Sequence, residues 1–447
     1  MNTTRSNTVR FVLFLLALAS GLGAEAQARQ IDLNATLATP VIKAGQSQTA
    51  FLKVALTGFA LPSQGDRAPV NVAIVIDKSG SMAGDRIVHA RQAAIMAVNG
   101  LGPNDIVSVV AFDDRVEIVV PATKVSDKAA ITRLIERIQT GGSTGLFAGV
   151  SKGAQEVRKF LDKIRVNRVI LLSDGQANVG PSTPAELGQL GSSFGREGIS
   201  VTTIGLGLGY NEDLMTQLAG YSDGNHAFVA NPQDLARIFR QEFGDVGSVV
   251  AQEVEVTIRL NLGLGMRPVR ILGREGEIVD GTARLRMNQL YSEQEKFVIL
   301  EVQVPPGKAG ESLNLAKVDV SYLNMQSKSK ESLSRSVAVN FTDSAETAAK
   351  ATDKKAMTSA VQQISNAKSK QALQLRDEGK VEEARAVLNE NADYLQRNAQ
   401  SLDAPVLKEM EAASRSSAAA VSAPAPEWNA SRKSMKEQQY RLEKQQK

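Results

Sequence analysis

Asp77, Ser79 and Ser81 stand at every second position directly after the apolar residues "AIVI" in "AIVIDKSGSM", residues 73–82. An unbroken run of small and branched apolar residues predicts a strand buried on both faces. Three oxygen-bearing side chains therefore leave the core together at its end. Two distant segments carry matching groups: "TGGSTGLFAGV" supplies Thr144, and "VILLSDGQANVG" supplies Asp174 straight after a second apolar run. Two carboxylates and three hydroxyls, without His or Cys, form an all-oxygen set suited to a hard cation. Few carboxylates among neutral hydroxyls favour Mg²⁺ or Mn²⁺, which keep water and leave a position open; Ca²⁺ suits the set less well. Zinc is disfavoured, because neither His89 nor His226 has a ligand partner near it in the sequence.

The elements that must position these groups read as alternating strands and helices. Strands are predicted over residues 70–76, 105–112, 116–120, 167–172, 199–206 and 226–230. Helical patterns lie at 86–98, 128–139, 146–161, 184–198, 212–218 and 233–243, with Ser126 as an N-cap and Pro232 in a first helical turn. Such alternation builds a doubly wound α/β domain around a mostly parallel sheet, with its ligand crevice at the carboxyl ends of the strands. The tight "DDR" joint after Phe112 allows no crossover helix, so strands 105–112 and 116–120 are expected to form an antiparallel edge hairpin.

The order Asp77-x-Ser79-x-Ser81, Thr144, Asp174, in "IVIDKSGSM", "GGSTGLFAGV" and "LLSDGQANVG", resembles the metal-ion-dependent adhesion site of von Willebrand factor type A domains. The resemblance covers about residues 70–250. The wider arrangement is similar to exported bacterial proteins likened to calcium-activated chloride channel proteins or inter-alpha-trypsin inhibitor heavy chains. The resemblance implies direct metal bonds from Ser79, Ser81 and Thr144, with Asp77 and Asp174 acting largely through bound water. It also implies an open position that accepts a Glu or Asp carboxylate from a protein partner.

Around this domain, 447 residues leave room for more. Residues 1–28 combine Arg5 and Arg10, the apolar "FVLFLLALASGLGA" and small residues at Ala24, Ala26 and Ala28. That pattern predicts a secretory signal peptide cut at Ala26 or Ala28, and an exported, periplasmic or secreted chain with no later membrane span. Residues 29–62 read as short strands and residues 251–342 as a β-sandwich that the early strands could join. Residues 344–420 favour helix, with a break at "RDEGK" and a repeat-like "GKVEEARAVL"; 421–447 read as a linker and a solvated or loosely helical charged tail. A net charge of +4 argues against general nucleic-acid binding, and the absence of Cys excludes disulfides and thiolate chemistry.

Other signals weaken in context. Residues 141–145 spell G-x-S-x-G, but a helical pattern precedes them where a nucleophile elbow needs a strand, so Ser143 is not expected to be a nucleophile. "GLGLGY" from Gly205 lacks the last glycine of a dinucleotide loop. His89 is expected on a helix flank, His226 at a strand start, Asp113 and Asp114 in a turn, and Lys78 in solvent. The expected function is a non-enzymatic, metal-dependent protein-binding module of adhesion type in the bacterial envelope. The alternative is an envelope scaffold acting through its C-terminal helices, with the metal only structural.

Overall fold

In the computed structural model, residues 30–61, 67–175 and 177–446 are described. The signal peptide expected over residues 1–28 lies outside them. The chain opens with strands β1 (Ile31–Leu37), β2 (Val41–Lys43) and β3 (Gln48–Gly58). A strand–helix alternation follows: β4 (Val70–Asp77), α1 (Asp85–Gly100), β5 (Ile106–Phe112), β6 (Val116–Lys124), α2 (Lys128–Glu136), α3 (Leu146–Arg158), β7 (Val166–Ser173), α4 (Pro184–Arg196), β8 (Ile199–Leu206), α5 (Glu212–Tyr221), β9 (His226–Val229) and α6 (Leu235–Gly247). Seven strands come next: β10 (Val249–Leu260), β11 (Arg267–Leu272), β12 (Glu277–Val279), β13 (Thr282–Tyr291), β14 (Glu295–Val304), β15 (Ser312–Asn324) and β16 (Lys330–Thr342). The chain closes with α7 (Ala345–Lys350), α8 (Lys354–Asp377), α9 (Val381–Leu402), α10 (Pro405–Ala420) and α11 (Ala425–Lys444).

The central sheet has the order β6-β5-β4-β7-β8-β9. All its pairings are parallel except β5 with β6, the edge hairpin that the short "DDR" joint requires. β4 is buried along its whole length. Val70, Val72, Ile74 and Ile76 face one core with α1 and α6, while Ala73 and Val75 face another with α3, α4 and α5. That alternation is the period of two that a strand imposes on its side chains. Helix entry is set locally: Asp127, rather than Ser126, caps α2 by accepting the Ala130 N–H at 2.8 Å. Thr183 and Glu186 form a reciprocal capping box on α4, whose first turn carries Pro184.

Two further sheets, β1-β3-β14-β11 and β12-β13-β10-β15-β16-β2, pack face to face around one core that includes Leu33, Leu52, Val54, Val256, Ile258, Val318 and Val339. The strands preceding the α/β unit thus belong to the same sandwich as those after it, and the α/β unit is inserted between β3 and β10. Helix α8 covers the outer face of the four-stranded sheet through Ala360, which packs with Ala55, Leu272, Phe297 and Ile299.

The C-terminus departs from expectation. The stretch read as a solvated or loosely helical tail is α11, a 20-residue helix that packs onto the rest of the chain. Trp428 and Met435, seven residues apart on one face, pack against Leu373, Ala384, Leu388 and Ala418. Several of its charges are paired: Lys433 donates to Glu212 and, at 2.7 Å, to the Tyr210 carbonyl. Arg432 bonds Glu212, Asp213 and Asp377. The acidic first turn of α5, whose carboxylates suit the positive end of the helix dipole, receives these cations.

Because Lys433 and Glu212 are both almost fully buried, Lys433→Ala leaves a buried carboxylate short of one of its two cations, with Arg432 the other. The expected cost is about 3 kcal/mol. Urea unfolding followed by fluorescence of Trp428, the one tryptophan in the chain and itself on α11, measures it.

Candidate metal centre

Asp77 is the last residue of β4, and the chain turns immediately after it through a 3-10 turn at Gly80–Met82. Its Oδ1 accepts the Ser79 N–H at 2.8 Å, and its Oδ2 accepts the Ser173 hydroxyl at 2.5 Å. The Ser79 and Ser81 hydroxyls lie 3.1 Å apart, and Ser81 donates to Asp174 Oδ1 at 2.8 Å. Thr144 enters from the loop before α3, where its N–H donates to Asn178 Oδ1 at 2.8 Å. A Cβ placed on Gly175 would stand 2.9 Å from Thr144 Oγ1 and 3.3 Å from Asp77 Oδ2. Only a glycine lets that hydroxyl and that carboxylate converge so closely. The carboxyl edge of the sheet therefore brings all five sequence-predicted residues into one cup.

The cup is largely dry: Asp77 is 0% exposed, Ser79 and Asp174 2%, and Thr144 4%, while Ser81 opens to solvent. Burial is the main influence on Asp77 and raises its pKa; the hydrogen bonds from Ser173 and Ser79 oppose it, and the Asp174 charge adds to it. Two buried carboxylates beside three hydroxyls fit a small divalent cation, which supplies the charge that this pocket lacks. Among the described residues no group of three or more His, Cys, Asp or Glu side chains is placed to hold an ion. Hydroxyls must therefore carry a large share of any donor set here.

Three further residues shape the cup without having stood out in the sequence. Ser173 donates to Asp77, Asn178 fixes the Thr144 backbone, and Arg86 donates both to Asp174 Oδ2 and to the Ser81 carbonyl at 3.1 Å. Ser173 and Asn178 flank Asp174 within "SDGQAN", the one local signal that could have found them. Lys78, expected in solvent, is instead paired with Asp113 at 2.6 Å, because the β5–β6 turn folds back beside it. Asp113 also accepts the Arg115 N–H at 2.8 Å and serves as a turn residue. His226 begins β9 and bonds Thr203 Oγ1 at 2.9 Å. Burial, and secondarily Lys433, push it down to about 3, so it stays neutral.

Comparisons with known proteins bear on the domain that carries these residues. The family model of the von Willebrand factor type A domain matches residues 71–241. An uncharacterized protein of Synechocystis is 28% identical over 62% of this chain and 68% of its own length. Human inter-alpha-trypsin inhibitor heavy chain H2 is 25% identical over 44% of this chain, and the match spans only 22% of that protein. The solved structure of a von Willebrand factor type A protein from Catenulispora acidiphila superimposes with a TM-score of 0.68 at 16% identity, covering 86% of this chain and 90% of that one. That likeness shows a shared fold.

A raised Asp77 pKa means that the folded, metal-free protein keeps a proton that the unfolded chain has already released. This contribution to stability falls as pH rises through that window and remains a penalty above it. Asp77→Asn is therefore expected to raise the melting temperature of EDTA-treated protein at neutral pH, with the gain shrinking as pH falls into the carboxylate range. Thermal melts of both proteins from pH 4 to pH 8 check this sign.

Proposed function

Since residues 71–241 are a von Willebrand factor type A domain, we propose that the protein is a metal-dependent, adhesion-type protein-binding module. Domains of this family in general bind protein partners. Asp77, Ser79, Ser81, Thr144 and Asp174 would hold Mg²⁺ or Mn²⁺. The carrying observation is the convergence of Thr144 Oγ1, Asp77 and Asp174 around Gly175 at the ligand edge of the sheet. The bound ion would supply an electrophilic position for a Glu or Asp carboxylate of the partner. This chain's residues then have separate tasks: Ser173 and the Ser79 amide orient Asp77, Asn178 holds the Thr144 loop, and Ser81 faces the partner.

The bacterial envelope is the proposed setting, on the strength of the N-terminal signal pattern. No helix among the described residues is long and apolar enough to cross a membrane. A second reading, a scaffold working through the C-terminal helices with a structural metal, draws support from α11, which ties those helices to α5 through Arg432.

Mg²⁺ or Mn²⁺ is expected to raise the melting temperature, with a stabilisation of about 2.7 kcal/mol at a hundredfold excess over Kd. Asp77→Ala and Asp174→Ala should abolish the response. Identical melts of wild type and both variants in ion and in EDTA would refute the site. Capture of envelope proteins that survives EDTA and Asp77→Ala would favour the scaffold reading.

A further inference from the structure

We propose that Arg86 is an internal rival of the metal ion: its guanidinium pairs with Asp174 and must swing out before a divalent ion binds. Arg86 thereby sets the ion affinity. This inference rests on the metal reading of the cup, and its test separates the two.

Arg86 stands in the first turn of α1 and reaches back over the cup. It bonds Asp174 Oδ2 and donates to the Ser81 carbonyl at 3.1 Å, so it engages two of the residues assigned to the ion. Its seat is built from a third side. Gly207, in the loop after β8, has φ +69°, and a Cβ there would stand 3.2 Å from Arg86 Nη2. A larger residue would be strained by that backbone and would crowd the guanidinium. Charge points the same way. Lys78, a second cation close to the cup, is taken up by Asp113, whereas Arg86 meets the buried Asp174 carboxylate.

A guanidinium keeps its charge at every accessible pH, so it cannot yield by losing a proton. A divalent ion arriving beside it is repelled, more strongly in a dry site than in water. One of the two cations must leave. The Asp174 side chain is 0% exposed and fixed at the strand end, whereas the Arg86 side chain is 36% exposed on a helix flank. The arginine is the mobile partner. Ion affinity at this cup is therefore the intrinsic affinity of the five oxygen donors, reduced by the work of displacing the guanidinium.

Isothermal titration of full-length, chelator-treated protein with Mn²⁺ tests this, using wild type, Arg86→Gln and Arg86→Lys. Arg86→Gln is expected to bind Mn²⁺ on the order of tenfold more tightly, the scale of one lost charge-assisted hydrogen bond. Arg86→Lys, which keeps the charge but not the fork, should fall between. In EDTA, Arg86→Gln should melt below wild type, with the gap closing as Mn²⁺ is added. An affinity for Mn²⁺ in Arg86→Gln equal to or weaker than that of wild type overturns the proposal and leaves the metal site standing. Equal melting temperatures in EDTA also overturn it. No Mn²⁺ binding by wild type or by Arg86→Gln overturns the metal reading and this proposal together.

Discussion

The candidate site depends on a strand that cannot move. β4 is hydrogen-bonded to β5 on one side and β7 on the other, and each of its faces packs into a separate core. Shifting it by one residue would exchange those faces and drive Asn71 and Asp77 out of their hydrogen bonds. The reward for this pinning is a carboxylate held at the boundary between core and crevice. The cost is electrostatic, since Asp77 loses water on burial and stands near a second buried carboxylate. Hydrogen bonds from Ser79 and Ser173 offset part of that cost, and a cation would offset more. Rigidity and ion hunger thus have one origin, the double burial of β4.

The same logic explains which features were legible in the sequence. Asp77, Ser79 and Ser81 end a long apolar run, and Asp174 ends another, so pattern alone places them at strand termini. Thr144 lies in a Gly-rich segment ahead of a helical pattern, and its place beside Gly175 follows from the doubly wound order. Arg86 carries no such mark. It is one basic residue in an amphipathic first turn, and only the approach of the β7 loop gives it Asp174 as a partner. The residue before α2 shows a finer limit: Ser126 and Asp127 are both good caps, and the backbone selects Asp127.

Helix α11 was illegible for a different reason. A run rich in Lys, Arg, Glu and Gln reads as solvated unless its partners are known. Here the partners lie far upstream: Lys433 meets Glu212 across 221 residues of chain. Only Trp428, Met435 and Tyr440 hinted at a buried face, and three such residues in a polar run do not fix a docking surface. Burial of that face, together with the acidic start of α5, turns an apparent tail into a structural element.

The docking of α11 also completes the central sheet. β9 is an edge strand, and edge strands expose N–H groups that invite pairing with another chain. Gln446 accepts the His226 N–H at 3.2 Å, Glu437 accepts that of Phe228, and the Tyr440 hydroxyl donates to the Gly224 carbonyl at 2.7 Å. Side chains beside and at the end of a helix thus stand in for the strand that would otherwise add there. At the opposite end of the sheet strands, Arg168 of β7 reaches into the sandwich and bonds Tyr291 at 2.5 Å. Nearby, Asp223 pairs with Arg274 at 3.0 Å and Lys296 at 3.9 Å. Burial raises the Asp223 carboxyl, but Lys296, Arg274 and Lys444 outweigh it and keep the group ionised. Lys296 is pushed down to about 7 by burial, against the pull of Asp223. These ties hold the inserted domain by one edge strand and by the amino ends of its strands, and α11 adds a hold on the loop after β8 through the Tyr210 carbonyl and Glu212. A partner engaging the cup would meet a surface whose orientation on the sandwich is already set.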